Sequence, residues 1–186
     1  MNIYDFDGTI YNGDSTIDFW LFTLKRHPSA LLMIPYQLKA VILHKFGKCT
    51  TSEMKERFFS FVKKVPDISY ETELFQKKYQ HKIKHWYFDK MKDDDLIISA
   101  SPEFLLEPFC RNIGIKHLIA TKIDPLSGRM SGENCKGYEK VRRFRSVYSD
   151  AIIDEFFSDS LSDLPLAKES RKAFMVKNNN ISRWKI

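Results

Sequence analysis

Asn2-Ile3-Tyr4-Asp5-Phe6-Asp7-Gly8-Thr9-Ile10 runs from a short strand-compatible segment into two acids and a glycine. Side chains two apart on an extended chain point to the same side. Asp5 and Asp7 are therefore expected to project together, with Phe6 turned the other way. Two carboxylates this close repel each other unless a cation or a shared proton relieves them. Gly8 lets the chain turn away with no Cβ in its path. An exposed acidic turn would use the same residue types, so three later stretches of the chain decide between turn and site.

Beyond Asp7 the pattern turns helical. Ile17, Trp20, Leu21 and Leu24 recur at three- and four-residue spacing, one face of a helix. Asp14 or Ser15 can cap its start, and His27-Pro28 breaks it. A very apolar segment from Ser29 to Phe46 stops near Gly47. Thr51, Ser52 and Glu53 open a third helix with Met54, Phe58, Phe61 and Val62 inward, ended by Pro66. Ser69 to Lys90 reads as a fourth, long, charged helix. Phe58, Phe59, Phe61, Trp86, Tyr87 and Phe88 are expected in the core of this helical block. His81 and His85, spaced for one helix face, are read as solvated.

Asp93-Asp94-Asp95 reads as a solvated turn, after which the pattern switches. Leu96 to Ser99 is a short apolar run of the kind buried in a parallel sheet. Ser101-Pro102-Glu103 starts a helix that ends near Gly114. His117–Thr121 is a strand, Ile123–Glu133 a β-hairpin, Lys136–Tyr148 a helix, Ala151–Phe157 a strand, Leu164–Arg171 a helix and Lys172–Val176 a last strand before the Asn178-Asn179-Asn180 turn. Strands alternating with helices imply an α/β fold, a Rossmann-like doubly wound parallel sheet. The helical block is too long for a crossover. It is expected to be an all-helical cap inserted between strands 1 and 2, with residues 1–11 and 93–186 forming the core domain and 12–92 the cap.

Composition bounds the function. With 186 residues, 43% apolar and 14% aromatic, the chain can bury a good core. Lys+Arg 30 against Asp+Glu 24 leaves +6, spread along the chain. No arginine-rich arm or aromatic signature points to nucleic acid. Cys49, Cys110 and Cys135 are scattered and odd in number, which argues for a reducing compartment and against a disulfide frame or zinc site. The given residues open directly on the first strand, so no signal peptide is expected, and no apolar run is long enough to span a bilayer. A cytoplasmic protein is expected.

In such a sheet, functional residues gather beyond the carboxyl ends of the strands. Asp5 and Asp7, Ser99 with Ser101, Lys136, and Ser158-Asp159-Ser160-Leu161-Ser162-Asp163 fall there. Acids, a hydroxyl and a lysine suit a hard cation and a phosphate held together. Backbone N–H groups at a helix start, with Ser99 and Ala100, suit phosphate oxygens.

These four motifs, in this order, resemble those of the haloacid dehalogenase-like phosphatases, in the branch containing phosphoserine phosphatase, and the resemblance covers essentially the whole chain. It implies a Mg²⁺-dependent phosphatase acting on a small phosphorylated substrate. Asp5 would attack phosphorus to form an aspartyl-phosphate. Asp7 would protonate the leaving oxygen and then deprotonate the hydrolytic water. Ser99 would hydrogen-bond the phosphoryl group, and Lys136 would offset charge on Asp5 and the phosphate. Asp159 would bind Mg²⁺ with Asp5 and the Asp7 carbonyl, and Asp163 would be a further ligand or support. Ser158 and Ser160 stand where glycines are common in the family.

The cap sets the substrate in this family, a phosphoserine-like metabolite or a lipid phosphate here. Asp14 stands about where phosphoserine phosphatases carry a Glu that reads the substrate amine. Arg57 stands near the basic residue that reads the carboxylate. The chain is also similar to the phosphatidylglycerophosphatase C type in Asp14-Ser15-Thr16, the apolar segment from His27 to His44, Cys135 to Val141 and Ser158 to Leu166. Physically, residues 30–46 with Lys25, Arg26, Lys39, Lys45 and Lys48 would suit the edge of an anionic membrane. Packing against the other cap helices is the favoured alternative. Two further readings compete with hydrolysis: transfer to an alcohol acceptor, and phospholigand or membrane-surface binding without turnover. The sequence does not fix an oligomeric state.

Overall fold

Ile3 and Tyr4 are adjacent in sequence yet fully buried in different hydrophobic clusters, as alternation along a strand requires. Leu96 and Ile98 likewise share a cluster with Ile3, whereas Ile97 lies with Tyr4. Phe156 and Phe157 divide the same way. A sheet covered on both faces needs such continuous apolar runs. The computed structural model describes residues 1–186. Strands β1 (Asn2–Tyr4), β2 (Leu96–Pro102), β3 (His117–Thr121), β4 (Ile153–Ser158), β5 (Ser170–Lys177) and β6 (Asn180–Arg183) form one sheet. Their order is β3-β2-β1-β4-β5-β6. Pairing is parallel throughout except for β5 with β6. The chain builds outward from β1 through β2 to β3, then crosses to the other side of β1 for β4 and β5. The strand order therefore reverses at β1, where ligand crevices form in open α/β sheets.

Between β1 and β2 lie α1 (Ser15–Arg26), α2 (Ile34–Lys45), α3 (Thr51–Phe58), α4 (Ile68–Tyr79) and the single turn α5 (His85–Phe88). Asp14 caps α1 through the Ile17 amide, Asp67 caps α4, and Thr50 with Glu53 forms a capping box on α3. Arg26 pairs with the buried Glu71 through two nitrogens, tying α1 to α4. After β2 come α6 (Glu103–Ile113), α7 (Tyr138–Val147) and α8 (Leu164–Lys168).

Four expectations change. The fourth helix is not continuous to Lys90. Ile83 bridges to Tyr11, Asn12 N–H donates to the Lys82 carbonyl and Lys84 N–H to the Ile10 carbonyl. Pairing between the two connecting segments outweighs local helical propensity there and puts His81 and His85 in different elements. The expected hairpin at 123–133 shrinks to one bridge between Ile123 and Met130. The segment after the Asn178 turn adds an antiparallel edge strand, β6. Asp95 is fully buried, not solvated, and accepts the Lys92 amide at 2.7 Å. In addition, Trp86 and Tyr87 pack on Tyr4 of β1 rather than inside the helical block alone, and Phe88 is exposed.

Candidate active site

Asp5 follows the last residue of β1, and its N–H still pairs with the Phe157 carbonyl at 2.9 Å. The chain then coils: the Phe6 carbonyl accepts from Ile10 and Tyr11, and Gly8 turns at φ +69°. Phe6 is buried against Tyr11 and Phe109, so the two acids are left on the opposite side. Asp5, Asp7, Asp14, Ser99, Ala100, Lys136, Asp159 and Asp163 all line one cavity of about 740 Å³ beyond the carboxyl ends of the strands. Arg57 does not.

The lysine on Asp5 is Lys140. Its Nζ stands 2.8 Å from Asp5 Oδ1 and 2.7 Å from Asp163 Oδ2, almost wholly buried. Lys136 lines the cavity but makes no ion pair, which corrects the expected contact with Asp5. The reason is helical. Gly137, at φ +61°, delays the helix, so Lys136 precedes α7 and Lys140 falls in its first turn. Side chains on a helix lean toward its N-terminus, which carries Lys140 back over the loop and into the cavity. Burial works against the Lys140 charge, yet Asp5 and Asp163 outweigh it and hold its pKa above the ordinary lysine value. Burial pushes the Asp5 carboxyl up, against the pull of Lys140.

Asp7 is held differently. The Ser15 amide donates to Oδ1 at 2.6 Å and Ser101 Oγ to Oδ2 at 2.5 Å, with Thr16 Oγ1 3.0 Å from Ser101 Oγ. Burial pushes this carboxyl up to about 6, while the Ser101 and Ser15 bonds pull the other way. Ser101 thus serves Asp7 rather than capping α6. Ser99 Oγ accepts the Ser101 amide at 3.1 Å, which leaves its O–H to donate elsewhere.

Asp163 accepts from Ser158 Oγ at 2.8 Å as well as from Lys140. Ser158 is therefore part of the support of Asp163. Ser160 caps the following turn through the Ser162 amide. Asp159 packs directly on Gly8, where any Cβ would overlap its carboxylate. Burial raises the Asp159 pKa, with Lys140 and Lys84 among the groups opposing.

Two lysines from the helical segment were not foreseen. Lys55 reaches the Ala100 carbonyl and Asn134 Oδ1, each at 2.7 Å, and burial lowers its pKa to about 8. It takes the place expected of Arg57, because residues two apart on a helix do not share a face. Lys84 is buried, and its Nζ donates to the Gly8 carbonyl at 2.5 Å and to the Asn178 carbonyl at 2.6 Å. No motif could have revealed it. Asp14 lines the cavity while its Oδ1 caps α1.

No three Asp, Glu, His or Cys side chains gather tightly enough to cage an ion by themselves. The cavity instead offers separated carboxylate oxygens, the chemistry of a hard cation that keeps water and substrate as its remaining ligands.

Protein CicA of Caulobacter vibrioides (strain NA1000 / CB15N) is 26% identical over 194 residues, spanning 93% of this chain and 84% of that protein. A crystal structure of a protein with unknown function from Bordetella pertussis Tohama I superposes with a TM-score of 0.73 at 18% identity, over 93% of this chain and 87% of that one. A phosphoserine phosphohydrolase-like protein from Francisella tularensis subsp. tularensis SCHU S4 gives a TM-score of 0.57 at 15% identity, over 93% and 86% of the two chains. These structures share the fold. The family model described as haloacid dehalogenase-like hydrolase matches residues 3–168, from the first strand through the Asp159 and Asp163 loop, and the chain belongs to that family.

Proposed function

We propose that the protein is a Mg²⁺-dependent phosphatase that hydrolyses a phosphomonoester through an aspartyl-phosphate on Asp5, with residues 12–92 acting as the cap that sets the substrate. The observation that carries this reading is Asp5 held by Lys140 beside an independently held Asp7 in one cavity. Lys140 occupies Asp5 Oδ1, and Oδ2 has no hydrogen bond from the chain. Oδ2 attacks phosphorus, forming the acyl-phosphate bond as the ester P–O bond breaks. Asp7 gives its proton to the departing oxygen. It then takes one from the water that attacks phosphorus, releasing phosphate and restoring Asp5. A carboxyl pushed up to about 6 suits a group that must both give and take a proton.

Ser99 donates to the phosphoryl oxygens, with the Ala100 region beside it. Asp5, Asp159 and the Asp7 carbonyl would hold Mg²⁺, and Asp163 fixes Lys140. When bound, Mg²⁺ supplies charge neutralisation on the phosphoryl oxygens. Lys55 faces the substrate from the cap with Asp14, and Lys136 lies at the same mouth. A phosphorylated metabolite and a lipid phosphate both fit this inventory. The three cysteines are unpaired, in keeping with a cytoplasmic enzyme.

The test is hydrolysis of p-nitrophenyl phosphate with Mg²⁺ and with chelator. Turnover that needs Mg²⁺ and disappears in Asp5→Asn is expected. A folded protein with no turnover on this ester or on a panel of phosphorylated metabolites and lysophospholipids overturns the reading.

A further inference from the structure

Helix α2 is built inside out. Its buried positions are Gln37 and Ala40. Gln37 spends both ends of its amide inward, donating to the Phe58 carbonyl at 2.7 Å and accepting from Trp20 Nε1 at 3.2 Å. The large apolar residues face out instead. Leu31 and Leu32 in the preceding turn, Leu38, Val41 and Ile42 on the helix, and Phe46 just past it are all exposed, Leu32 by 75% and Phe46 by 72%. Leu38, Val41, Ile42 and Phe46 fall at a spacing that aligns them on a helix. A contiguous apolar face of this kind marks an interaction site.

Its charge identifies the occupant. Between Asp18 and Glu53 the chain contains no acidic residue. Lys25, Lys39, Lys45 and Lys48 are exposed in this stretch and take part in no ion pair. Exposed leucines and a phenylalanine framed by unpaired lysines, with no carboxylate among them, complement an apolar medium behind a negatively charged layer. A second copy of this stretch would instead bring lysines against lysines.

We infer that the outer face of α2, with the turn before it, docks on an anionic lipid surface, burying Leu32, Ile42 and Phe46 among the acyl chains while the lysines meet the headgroups. Val41 belongs both to this face and to the lining of the active-site cavity, and Ile17, exposed on α1, lines the cavity beside it. Docking in this way sets the cavity mouth at the edge of the bilayer. No helix of the chain is long and apolar enough to cross it. Docking is measured without turnover, so it stands or falls independently of the phosphatase reading.

The experiment is co-sedimentation of the 186-residue chain with vesicles of phosphatidylcholine alone and of phosphatidylcholine with phosphatidylserine. Binding to the anionic vesicles is expected, weakening steeply as salt is raised. Leu32→Ser with Phe46→Ser, both at exposed positions, should reduce it at least about tenfold. Lys39→Glu with Lys45→Glu should abolish the preference for anionic lipid. Circular dichroism checks that each variant is folded. Failure to sediment with anionic vesicles, equal binding to both compositions, or indifference to the apolar pair overturns the inference. So does a dimer in light scattering that the apolar pair dissociates while vesicle binding is absent.

Discussion

Lys140 Nζ lies 2.8 Å from Asp5 Oδ1, although the two residues are 135 positions apart. The ammonium is buried between Asp5 and Asp163, and removing one member of a buried ion pair typically costs ~3–5 kcal/mol. Lys140→Met should therefore lower the unfolding free energy by about that amount and reduce kcat at least a hundredfold or so. Lys136→Ala leaves this pair intact and should stay within about tenfold of wild type in kcat. Parallel kinetics and urea unfolding of the two variants check this; equal losses would place both lysines in the same role.

Gly8 and Asp159 share one space. A Cβ at Gly8 overlaps the Asp159 carboxylate, and the backbone there sits at φ +69°. Gly8→Ala should cost ~1–2 kcal/mol for the left-handed conformation. It should also push Asp159 away, so that about tenfold more Mg²⁺ is needed for half-maximal activity. Titrating Mg²⁺ against initial rate separates this from simple destabilisation. An unchanged Mg²⁺ requirement would mean that Asp159 does not hold the ion.

Lys84 ties three elements together: the return from the helical segment, the loop after β1 through the Gly8 carbonyl, and the β5–β6 turn through the Asn178 carbonyl. Hydrogen bonds to charged groups contribute ~1.5–3 kcal/mol each. Lys84→Met, which keeps most of the stem, should lower stability by roughly 2–4 kcal/mol. If Asp5 and Asp7 react as proposed, it should lower kcat more than it raises KM, since Gly8 adjoins Asp7 in the chain and packs on Asp159. Denaturation and steady-state kinetics measure both. A loss under about 0.5 kcal/mol would mean that water satisfies the two carbonyls equally well.

Asp95 gives a pH signature away from the cavity. It is fully buried, one of its oxygens has no partner, and burial pushes its carboxyl up to about 6. A carboxyl whose folded pKa is raised holds its proton more tightly when folded, so its contribution is full at acid pH and is lost as pH rises from about 4 to about 6. The raise of about two pKa units amounts to at most ~3 kcal/mol. Asp95→Asn keeps an acceptor for the Lys92 amide and cannot ionise. The difference in stability between variant and wild type should therefore move in the variant's favour between about pH 4 and about pH 7, as read by urea unfolding at each pH. A difference independent of pH would show Asp95 to be solvated.

Much of the fold and of the candidate site's placement was legible in the unfolded chain. The alternation that divides Ile3 from Tyr4, and Phe156 from Phe157, is a local property of extended chain. So is the placing of Asp5 and Asp7 on one side of Phe6. Caps such as Asp14 and breaks such as His27-Pro28 are local too. Less legible were elements that depend on a partner. The break at Ile83 exists because Tyr11 pairs there, and β6 exists because β5 offers an edge.

The linear sequence by itself determined the α/β alternation, the helical insertion and the carboxylates that end its strands, because these depend on periodicity and on which residues terminate apolar runs. Tertiary structure alone decided which lysine meets Asp5, that Lys55 rather than Arg57 enters the cavity, that Asp95 is buried, and that α2 turns its leucines outward. A long side chain's destination depends on where its helix starts and on what stands opposite, and neither is written in the residues beside it.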